Sequence, residues 1–587
     1  MEYRAPVGEI LFQLQSIVGY RQVAATERFH DASEDSCQAI LGEAARFAEG
    51  VLAPLNREGD RHPAILENGV VRCSPGYREG YRAIADGGWV GIAAPAAHGG
   101  MGLPVTLQMA VGEMFSSACL ALALNPLMSQ GQIEALDRHA DEEVKALFLP
   151  KLISGEWTGT MNLTESQAGS DVGALRCRAV PGDADRFLIT GEKVFISWGD
   201  HDLTDNICHL VLARLPDALP GVRGISMFLV PKIVPETDGR PGVANRLRVV
   251  SLENKLGMHG SPTAVMAYER AEGWLIGEPG KGLAAMFTMM NNARLGVAVQ
   301  GVGVAEAATQ TAVTYALDRV QGRTELEDGT GTIIDHPDVR QMLLRMMALT
   351  AAARALALDT ALSIDMARAS GHAQWAAREA FLTPIAKGFC TDVGAEVADL
   401  GIQVHGGTGY IEESGAAQLW RDVRVTRIYE GTNGIQASDL VGRKLSDRGA
   451  AARRLLDEVR ATLRLAEGSL DSTGASNGRA EAGLAPDSVR GLASSLAAVA
   501  KTTNSFVRCQ KTIDRQAGAS AYLRSFGLLL GGHYLLRGAL AAQSNARTRA
   551  LAAFWCRRLL PEARAFAEAA RPGSEDLYRL SASGFRE

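Results

Sequence analysis

The pattern of apolar and polar positions changes character twice along the chain. Residues 1–157 have mainly helical periodicity, including an Ala-, Met- and Leu-rich stretch from Val105 to Leu124. Over 158–275 short alternating segments replace that period, and over 276–447 the helical period returns. The pattern predicts an α+β fold with an N-terminal helical domain, a middle antiparallel β domain and a helical bundle, in that order.

The clearest strand segments of the middle region are FLITGEKVFIS, ICHLVLARL, ISMFLVPK and TAVMAYER, separated by turns such as PGDADR and TDGRPG. After the bundle, the Gly-, Ser- and Ala-rich segment 468–488 is typical of a loop or linker. Leu and Ala periodicity then predicts helices at about 487–515, 518–545 and 547–570. We therefore expect an additional C-terminal helical domain over 465–587.

Composition adds limits to this picture. The 587 residues, with 47% hydrophobic and 21% charged side chains and a net charge of −6, are typical of an ordinary soluble protein of several domains. Eight scattered cysteines without zinc-like spacing suggest reduced thiols in a cytoplasmic protein and no metal site. The N-terminus lacks a secretory pattern. The apolar segment 525–542 contains His533 and Arg537, so we expect a buried helix there.

Charge is shared unevenly along the chain. From residue 451 onward there are 20 Lys and Arg against 12 Asp and Glu, an excess of +8 that leaves −14 for the first 450 residues. A basic C-terminal region can bind nucleic acid, dock on an acidic neighbouring domain, or attract the phosphates of a nucleotide ligand. The sequence leaves these three interpretations open.

The segment RVTRIYEGTNGIQASDLVGRK, residues 424–444, places a single carboxylate at a turn before a helix. Glu430 follows an apolar Ile-Tyr pair and precedes a flexible turn, and Thr432 or Asn433 can cap the helix that follows. A carboxylate in apolar surroundings is suited to taking a proton from a weak carbon acid. A buried, paired structural glutamate is the alternative.

This segment, R-x-x-R-I-Y-E-G-T-N-x-I-Q, resembles the catalytic segment of the acyl-CoA dehydrogenase family. Other segments in the order expected for the family support the resemblance, beginning with G-W-x-G-I-x-x-P-x-x-x-G-G-x-G, whose glycines at 99, 100 and 102 predict a tight turn. The 587-residue length and the segment F-I-S-W-G-D-H-D-L-T resemble the long subgroup of the family. The resemblance implies that Glu430 is the catalytic base.

Two segments of the middle region resemble the part of the family that lines the flavin. MNLTESQAGSDVG, residues 161–173, has Ser166 where the family usually has Pro, and GEKVFIS has an aromatic and a hydroxyl residue at alternate positions, which puts both on one face of a strand. Small residues allow close backbone approach to a planar ligand. The resemblance implies that FAD is contacted here by Met161, Leu163, Thr164, Gly169, Ser170, Phe195 and Ser197.

Two segments of the bundle resemble the family's contacts with the cofactor's diphosphate. YALDRVQGR offers Arg319 and Gln321, although it lacks the family's Phe after the Gln, and exposed helix-terminal side chains are the alternative interpretation. LGIQVHGGTGYIEES offers a glycine turn suited to close backbone approach. We expect His405 to be structural. The implied FAD contacts of the bundle, shared across a subunit interface, are Arg319, Gln321, Gln403, Gly406, Gly407, Thr432 and Asn433.

Arg294 is a single cation in an apolar, Met- and Ala-rich helix. Such a cation needs a buried acid, a ligand anion or a carbonyl as partner. By resemblance to the family's R-x-x-x-A-x-x-x-x-G helix, Arg294 and Asn291 contact the acyl-CoA. Ser170 and Gly431 are the other substrate contacts that the resemblance implies.

The resemblance implies FAD-dependent α,β-dehydrogenation of an acyl-CoA to a trans-2-enoyl-CoA, in which Glu430 takes the α-proton and flavin N5 accepts the β-hydride. It also implies a homodimer or dimer of dimers, electron transfer to an electron-transfer flavoprotein, and a place in fatty acid β-oxidation. An oxidase or nitroalkane-oxidase-like enzyme and a nucleic-acid-associated member of the fold are the alternatives. The sequence does not identify the acyl chain.

Overall fold

The computed structural model describes residues 3–183, 185–473, 486–541 and 546–586. The chain divides into two compact units, and the boundary between them falls inside a long helix: one unit is Gly42–Gly296, and the other combines Pro6–Leu41 with the chain from Val297 onward. The helical and strand segments follow the predicted order, helices first, then a sheet, then helices.

The N-terminal region is mainly helical, as predicted. Its helices are α1 (Val7–Phe12), α2 (Arg21–Ala24), α3 (Glu34–Phe47), α4 (Ala53–Arg61), α5 (Tyr77–Asp86), α6 (Val105–His139) and α7 (Glu142–Ile153).

The N-terminal region also contains a hairpin that the helical prediction missed. Strands β1 (Ile65–Glu67) and β2 (Val70–Arg72) pair around Asn68 and Gly69, which have φ of 51° and 77°. An Asn-Gly pair is the preferred sequence for such a two-residue turn, because both positions need the left-handed region. The predicted tight turn at the glycines is present, with Gly99 and Gly102 at φ of 92° and 65°.

Helix α6 is longer than the stretch that the sequence predicted. It continues past Leu124 to His139, although Pro126 lies inside it and Cys119 has non-helical dihedral angles. A proline usually ends or kinks a helix by removing a hydrogen bond. Here the residues around it are almost all buried, so packing keeps the helical segments together.

The middle region contains the strands β3 (Trp157–Asn162), β4 (Arg178–Pro181), β5 (Phe187–Ser197), β6 (Asn206–Arg214), β7 (Ile225–Pro231), β8 (Ile233–Pro235), β9 (Pro241–Ala244), β10 (Leu247–Leu252) and β11 (Thr263–Ile276). The main sheet has the order β10-β11-β5-β4-β6-β3, and β7 pairs with both β11 and β6. The pairings of strands β11, β5, β4, β6 and β7 therefore form a closed ring, in which a single bridge joins β4 to β6.

The prediction of an antiparallel sheet is wrong for two of the pairs. Strand β3 pairs with β6 in parallel, from Trp157 opposite Asn206 to Asn162 opposite Val211, and a single parallel bridge joins Arg178 to Arg214. The other pairs are antiparallel. A parallel pair needs a long crossover connection, and the chain between β3 and β6 supplies one.

After the sheet the helices return, and the small-residue segment predicted as one or two helices is a single helix. The helices are α8 (Gly282–Asp318), α9 (Pro337–Ser370), α10 (Ala373–His405), α11 (Ala416–Val423), α12 (Asn433–Asp439) and α13 (Ala450–Thr473).

The additional C-terminal helices are α14 (Pro486–Arg508), α15 (Thr512–Ala517), α16 (Ala519–Ala541), α17 (Ala546–Phe554) and α18 (Leu560–Ala569). We call α14 to α18 the C-terminal helical domain. The predicted helix 487–515 is two helices. Helix α13 extends into the predicted linker as far as Thr473, and the rest of that linker up to residue 485 lies outside the described residues, as does the end of the predicted helix 518–545.

Ion pairs connect the C-terminal helical domain to the bundle. Arg345 on α9 bonds Glu562 of α18 at 2.6 Å and Glu396 of α10 at 2.7 Å. Arg524 of α16 bonds the same Glu396 at 2.6 Å. The C-terminal helical domain therefore contributes both an acid, Glu562, and a base, Arg524, to one network. Docking of a basic region on an acidic neighbouring domain describes only part of this contact.

By length and composition, two of the described helices could cross a membrane: Val105–His139 and Pro337–Ser370. Both are mostly buried within the protein, as apolar core helices are. The apolar segment that begins at Ser525 lies in α16 and is buried, as predicted.

Candidate active site

The turn at Glu430 has an uncommon backbone conformation. Glu430 has φ of 56° and Gly431 has φ of 86°, so two successive residues lie in the left-handed region. That region costs a residue with a Cβ about 1 kcal/mol or more. Helix α12 begins directly afterwards, and Thr432 is its N-cap, accepting a hydrogen bond from the Ile435 backbone N–H as predicted.

Two buried side chains hold this turn. The ammonium Nζ of Lys387, on α10, donates to the Gly431 carbonyl at 2.8 Å. The Gln436 amide, one turn into α12, donates to the carbonyls of Glu430 at 3.1 Å and Gly431 at 3.3 Å. Neither side chain is exposed to solvent. These bonds favour the left-handed conformation and so fix where the Glu430 side chain begins.

The Asn433 side chain is hydrogen-bonded within the protein. Its amide nitrogen donates to the Gly388 carbonyl at 3.2 Å and to Asp392 Oδ1 at 2.9 Å, and its oxygen accepts from Lys387 at 3.0 Å. Asp392 in turn pairs with Arg427 at 2.6 Å. The side chain predicted to contact the cofactor therefore ties the base-bearing turn to α10, which leaves the Asn433 backbone for a ligand.

Tyr429 lies directly before the carboxylate. Its hydroxyl donates to the side-chain oxygen of the buried Gln300 on α8. Burial raises the pKa of Tyr429 well above its ordinary value, and the neighbouring Glu430 carboxylate raises it further. Tyr429 is therefore a neutral phenol across the physiological pH range.

In the unit Gly42–Gly296, a buried ion pair lies beneath the loop predicted to line the flavin. Lys193 Nζ lies 2.8 Å from Glu165 Oε1, and it also donates to the Leu163 carbonyl at 2.9 Å. The Glu165 carboxylate accepts the backbone N–H groups of Arg176 and Cys177. Burial would raise the pKa of Glu165, but the Lys193 ammonium and these donors outweigh it and hold the pKa below its ordinary value.

Phe195 lies at a bulge of strand β5. The register with β11 shifts between Lys193 and Ile196, and Phe195 has φ of 60°. Phe195 is 63% exposed, whereas Ile196 is buried. Ser197 is partly accessible, so the aromatic and the hydroxyl predicted to share a face both point away from the core. Bulges re-aim side chains next to functional sites.

The remaining predicted flavin contacts lie around this bulge. Met161 and Thr164 are partly accessible, Leu163 is buried, and Gly169 and Ser170 are exposed. The Val194 backbone N–H donates to the Thr164 carbonyl at 2.9 Å. The structure therefore brings the end of β3, the following loop and the bulge of β5 together within one unit.

The two predicted substrate contacts on α8 lie side by side. Arg294 is buried, and its guanidinium lies 3.4 Å from Asn291 Oδ1 and 5.7 Å from the centre of the Phe287 ring. A guanidinium over an aromatic face gains cation–π stabilisation. Phe287 was not predicted, although it lies two helical turns before Arg294 in the sequence.

The predicted diphosphate contacts lie together at the ends of α8 and α10. The Tyr315 ring lies against His405, tilted by 30° with 4.5 Å between ring centres, and its hydroxyl donates to Thr408 at 3.4 Å. His405 is buried and also bonds the Gly401 carbonyl at 2.7 Å, as a histidine with the predicted structural role would. Arg319 and Gln321 after α8, and Gln403, Gly406 and Gly407 at the end of α10, are all exposed.

Sequence reasoning missed Lys193, Lys387, Gln436 and Tyr315. A signal existed for Lys387, because the segment TPIAKGFC places one cation among apolar and small residues, the same pattern that singled out Arg294. Lys193 lies in the predicted strand FLITGEKVFIS, where a charged residue at a core-facing position is a comparable signal.

Models of known protein families match four successive regions of the chain. Residues 34–156 match the acyl-CoA dehydrogenase N-terminal domain, 160–271 its middle domain, 280–445 its C-terminal domain, and 455–581 an acetyl-CoA dehydrogenase C-terminal-like domain. The chain is 45% identical to 3-methylmercaptopropionyl-CoA dehydrogenase of Ruegeria pomeroyi, over 93% of this chain and 92% of the relative.

Two further matches span almost all of the chain. The broad-specificity linear acyl-CoA dehydrogenase FadE5 of Mycobacterium tuberculosis is 31% identical over 99% of this chain and 100% of its own. The crystal structure of Caenorhabditis elegans ACDH-11 in complex with C11-CoA superposes with a TM-score of 0.80 at 21% identity, covering 99% of this chain and 96% of that chain, which shows a common fold. The chain therefore belongs to the acyl-CoA dehydrogenase family, whose cofactor is FAD.

Proposed function

We propose that the protein removes one hydrogen each from the α- and β-carbons of an acyl-CoA thioester, with Glu430 as the base, and forms a trans-2-enoyl-CoA. The observation that supports this role best is the turn itself, where Glu430 and Gly431 have φ of 56° and 86° and buried Lys387 and Gln436 bond their carbonyls. Strained backbone that persists because buried side chains hold it is concentrated at functional sites.

The residues present fit FAD. In the unit Gly42–Gly296, an exposed aromatic ring at Phe195 lies beside the accessible Ser197, and a Cβ built on Gly169 would meet nothing within 4 Å. A planar ring system with polar edges suits such neutral hydrogen-bonding and aromatic surroundings. In the other unit, Gly406 and Gly407 have the same open space, and close backbone approach there suits a diphosphate.

When bound, FAD accepts the hydride from the β-carbon. Residues of the chain bind the substrate, take the α-proton and stabilise the charge that develops. The Glu430 carboxylate takes the α-proton, and its backbone N–H donates to the thioester oxygen, where negative charge develops. Arg294 and Asn291 hold the acyl-CoA. Tyr429, kept neutral by its raised pKa, adds no second negative charge beside the base.

The test is anaerobic bleaching of the bound flavin by a panel of saturated acyl-CoAs. The panel includes short, branched and long chains and 3-methylmercaptopropionyl-CoA, the substrate in the name of the relative. The parent, Glu430→Gln and Glu467→Gln are compared, because Glu467 is an exposed glutamate on α13 that makes the same change in charge. We expect Glu430→Gln to retain FAD and lose bleaching while Glu467→Gln bleaches like the parent. Bleaching by Glu430→Gln at the parent rate would refute the role of Glu430.

We propose an electron-transfer flavoprotein as the electron acceptor, as the family resemblance implies. Turnover with a purified electron-transfer flavoprotein should exceed turnover with oxygen. Rapid peroxide formation without that partner would instead indicate an oxidase.

We propose a homodimer in which the exposed apolar residues beside the diphosphate contacts are covered by the second copy. Leu317, Val320, Tyr410 and Ile411 are 52%, 63%, 84% and 52% exposed. Sedimentation analysis should find the parent dimeric or larger, and Tyr410→Asp with Ile411→Asp monomeric and depleted of FAD. Leu465→Asp is the control, because Leu465 is 66% exposed on α13, outside these two segments. A monomeric parent would contradict the proposal.

A further inference from the structure

The C-terminal helical domain packs against the part of α10 that holds the Glu430 turn. A Cβ built on Gly388 would lie 2.9 Å from both terminal methyl carbons of Leu523, on α16. Side-chain atoms do not approach so closely, so this position accommodates Leu523 only because it is glycine. Gly388 is also the residue whose carbonyl accepts the Asn433 side chain, and it follows Lys387, whose Nζ bonds the Gly431 carbonyl.

Neighbouring contacts fix α16 along the same stretch of α10. Gly527 provides room for the Phe389 ring, which lies one residue after Gly388. The Arg524 guanidinium lies 5.2 Å from the centre of that ring and bonds Glu396 at 2.6 Å. Apolar packing, a cation–π contact and an ion pair therefore join α16 to α10 over about two turns.

The domain also contacts the helix that begins at the turn. Gln516, on α15, donates to Ser438 of α12 at 3.4 Å. Arg515 donates to the Val441 carbonyl, just beyond α12, at 3.4 Å. These bonds are long, but with them the C-terminal helical domain contacts both α10 and the segment that begins at the turn.

We propose that the C-terminal helical domain positions the catalytic base: Leu523 fixes α10 at Gly388, and Lys387 and Asn433 transmit that position to the turn of Glu430. Lys387, Gly388, Asn433 and Leu523 are positioning residues in this scheme, because they act through the backbone of the turn. The proposal rests on the proposed role of Glu430. It assigns a function to the C-terminal helical domain, in which the sequence revealed no chemistry.

The size of the effect follows from the geometry of proton abstraction. A base displaced by about 1 Å from its reactive position loses roughly a hundredfold in rate. The turn is proposed to supply only a few of the contacts with substrate and FAD, and the remaining proposed contacts lie on α8, on β5 and at the end of α10. A displaced turn should therefore slow bleaching much more than it weakens either ligand.

The experiment compares Leu523→Ala with Leu529→Ala. Both leucines are buried on α16, but Leu529 lies on the face that includes Ser525 and Gly532, which contact α18 at Ala563 and Leu560. The two truncations remove the same atoms, and the melting temperature of each variant is measured beside its bleaching rate. We expect Leu523→Ala to slow flavin bleaching about tenfold or more, with a much smaller change in acyl-CoA affinity and FAD content, and Leu529→Ala to bleach at the parent rate.

A second pair of variants tests the contact between Gly388 and Leu523 by adding a methyl group at Gly388. Gly388→Ala should slow bleaching, because the new methyl pushes α10 away from Leu523, and Gly388→Ala with Leu523→Ala should recover part of the rate. Gly468→Ala is the control, because a Cβ there meets nothing within 4 Å. Hydrogen exchange of the segment 429–436 should be faster in Leu523→Ala and Gly388→Ala than in either control.

Two results would overturn the proposal. One is bleaching by Leu523→Ala at the rate of Leu529→Ala, with unchanged exchange at 429–436. The other is a double variant as slow as Gly388→Ala alone. Glu430→Gln, measured in the same series, separates this proposal from the proposed function: if Glu430→Gln is inactive and Leu523→Ala is normal, the positioning role alone is wrong.

Discussion

Lys193 and Glu165 form an ion pair with 2.8 Å between Nζ and Oε1, in which Lys193 has no exposed surface and Glu165 is 6% exposed. The pair joins strand β5 to the loop after β3, and the two positions are 28 residues apart in the sequence. Because Phe195 is two residues after Lys193 and Ser170 is five residues after Glu165, this pair fixes both segments that are proposed to contact the flavin.

Replacement of Lys193 by Met should destabilise the protein strongly. It leaves the Glu165 carboxylate buried without its cation, and breaking a buried pair from one side costs about 3–5 kcal/mol. Chemical denaturation should show this loss, together with weaker FAD binding. Lys193→Met with Glu165→Gln should recover part of the stability, because no charge is then buried. Lys151→Met removes one member of a half-exposed pair and should cost at most about 1 kcal/mol. Equal losses in the two lysine variants would contradict this account.

Phe195→Asn should separate stability from cofactor binding. Phe195 has φ of 60°, and asparagine tolerates the left-handed region better than residues with large side chains. We expect the free energy of unfolding without FAD to be unchanged or higher, because the exposed ring contributes little to the core. We expect FAD to bind more weakly, which fluorescence titration of the apoprotein would measure. Phe195→Tyr retains the aromatic ring and should bind FAD as the parent does. Unchanged FAD affinity in Phe195→Asn would exclude a role for the ring.

Gly431→Ala should impair catalysis through the backbone of the turn. Gly431 has φ of 86°, and a Cβ there would lie 3.0 Å from the amide nitrogen of Gln436. The substitution adds about 1–2 kcal/mol of strain and displaces the donor that holds the Glu430 carbonyl. Stopped-flow bleaching should be slower while FAD remains bound. Gly434→Ala, three residues along, has only an ordinary contact at 3.8 Å and should bleach normally. A normal rate in Gly431→Ala would show that the turn tolerates rearrangement.

His533 should make the protein less stable as the pH falls. Burial, with a smaller effect of Arg537, lowers the pKa of His533 from 6.5 to about 3. Between these values the unfolded chain binds a proton that the folded chain does not, so acidification favours unfolding. From pH 7 to pH 5 this group alone costs about 2 kcal/mol.

His533→Leu removes that dependence. Denaturant unfolding at pH 7 and pH 5 should show a smaller loss for His533→Leu than for the parent. His30→Leu is the control for the replacement of a histidine by leucine, because the His30 side chain is 69% exposed. An equal loss in His533→Leu and the parent would mean that His533 is protonated in the folded state.

Hydrophobic periodicity and turn chemistry were sufficient to predict most helices and strands and the kinds of side chain present at the site. Strand β5 coincides with the segment FLITGEKVFIS, and α8 with the small-residue segment around Arg294. Thr432, one of the two residues that the sequence offered as the cap, is the N-cap of α12. These features depend on neighbours within a few residues, which the sequence displays directly.

The relationships that organise the site were decided by the tertiary structure. Lys387 reaches the Gly431 carbonyl across 44 residues, and the parallel pairing of β3 with β6 joins segments that local alternation cannot orient. The left-handed conformation of Glu430 is stable because Lys387 and Gln436 bond the turn from outside it. Long-range bonds of this kind depend on how whole elements pack. The sequence alone therefore determined which groups are available, and the packing of the helices determined where each one acts.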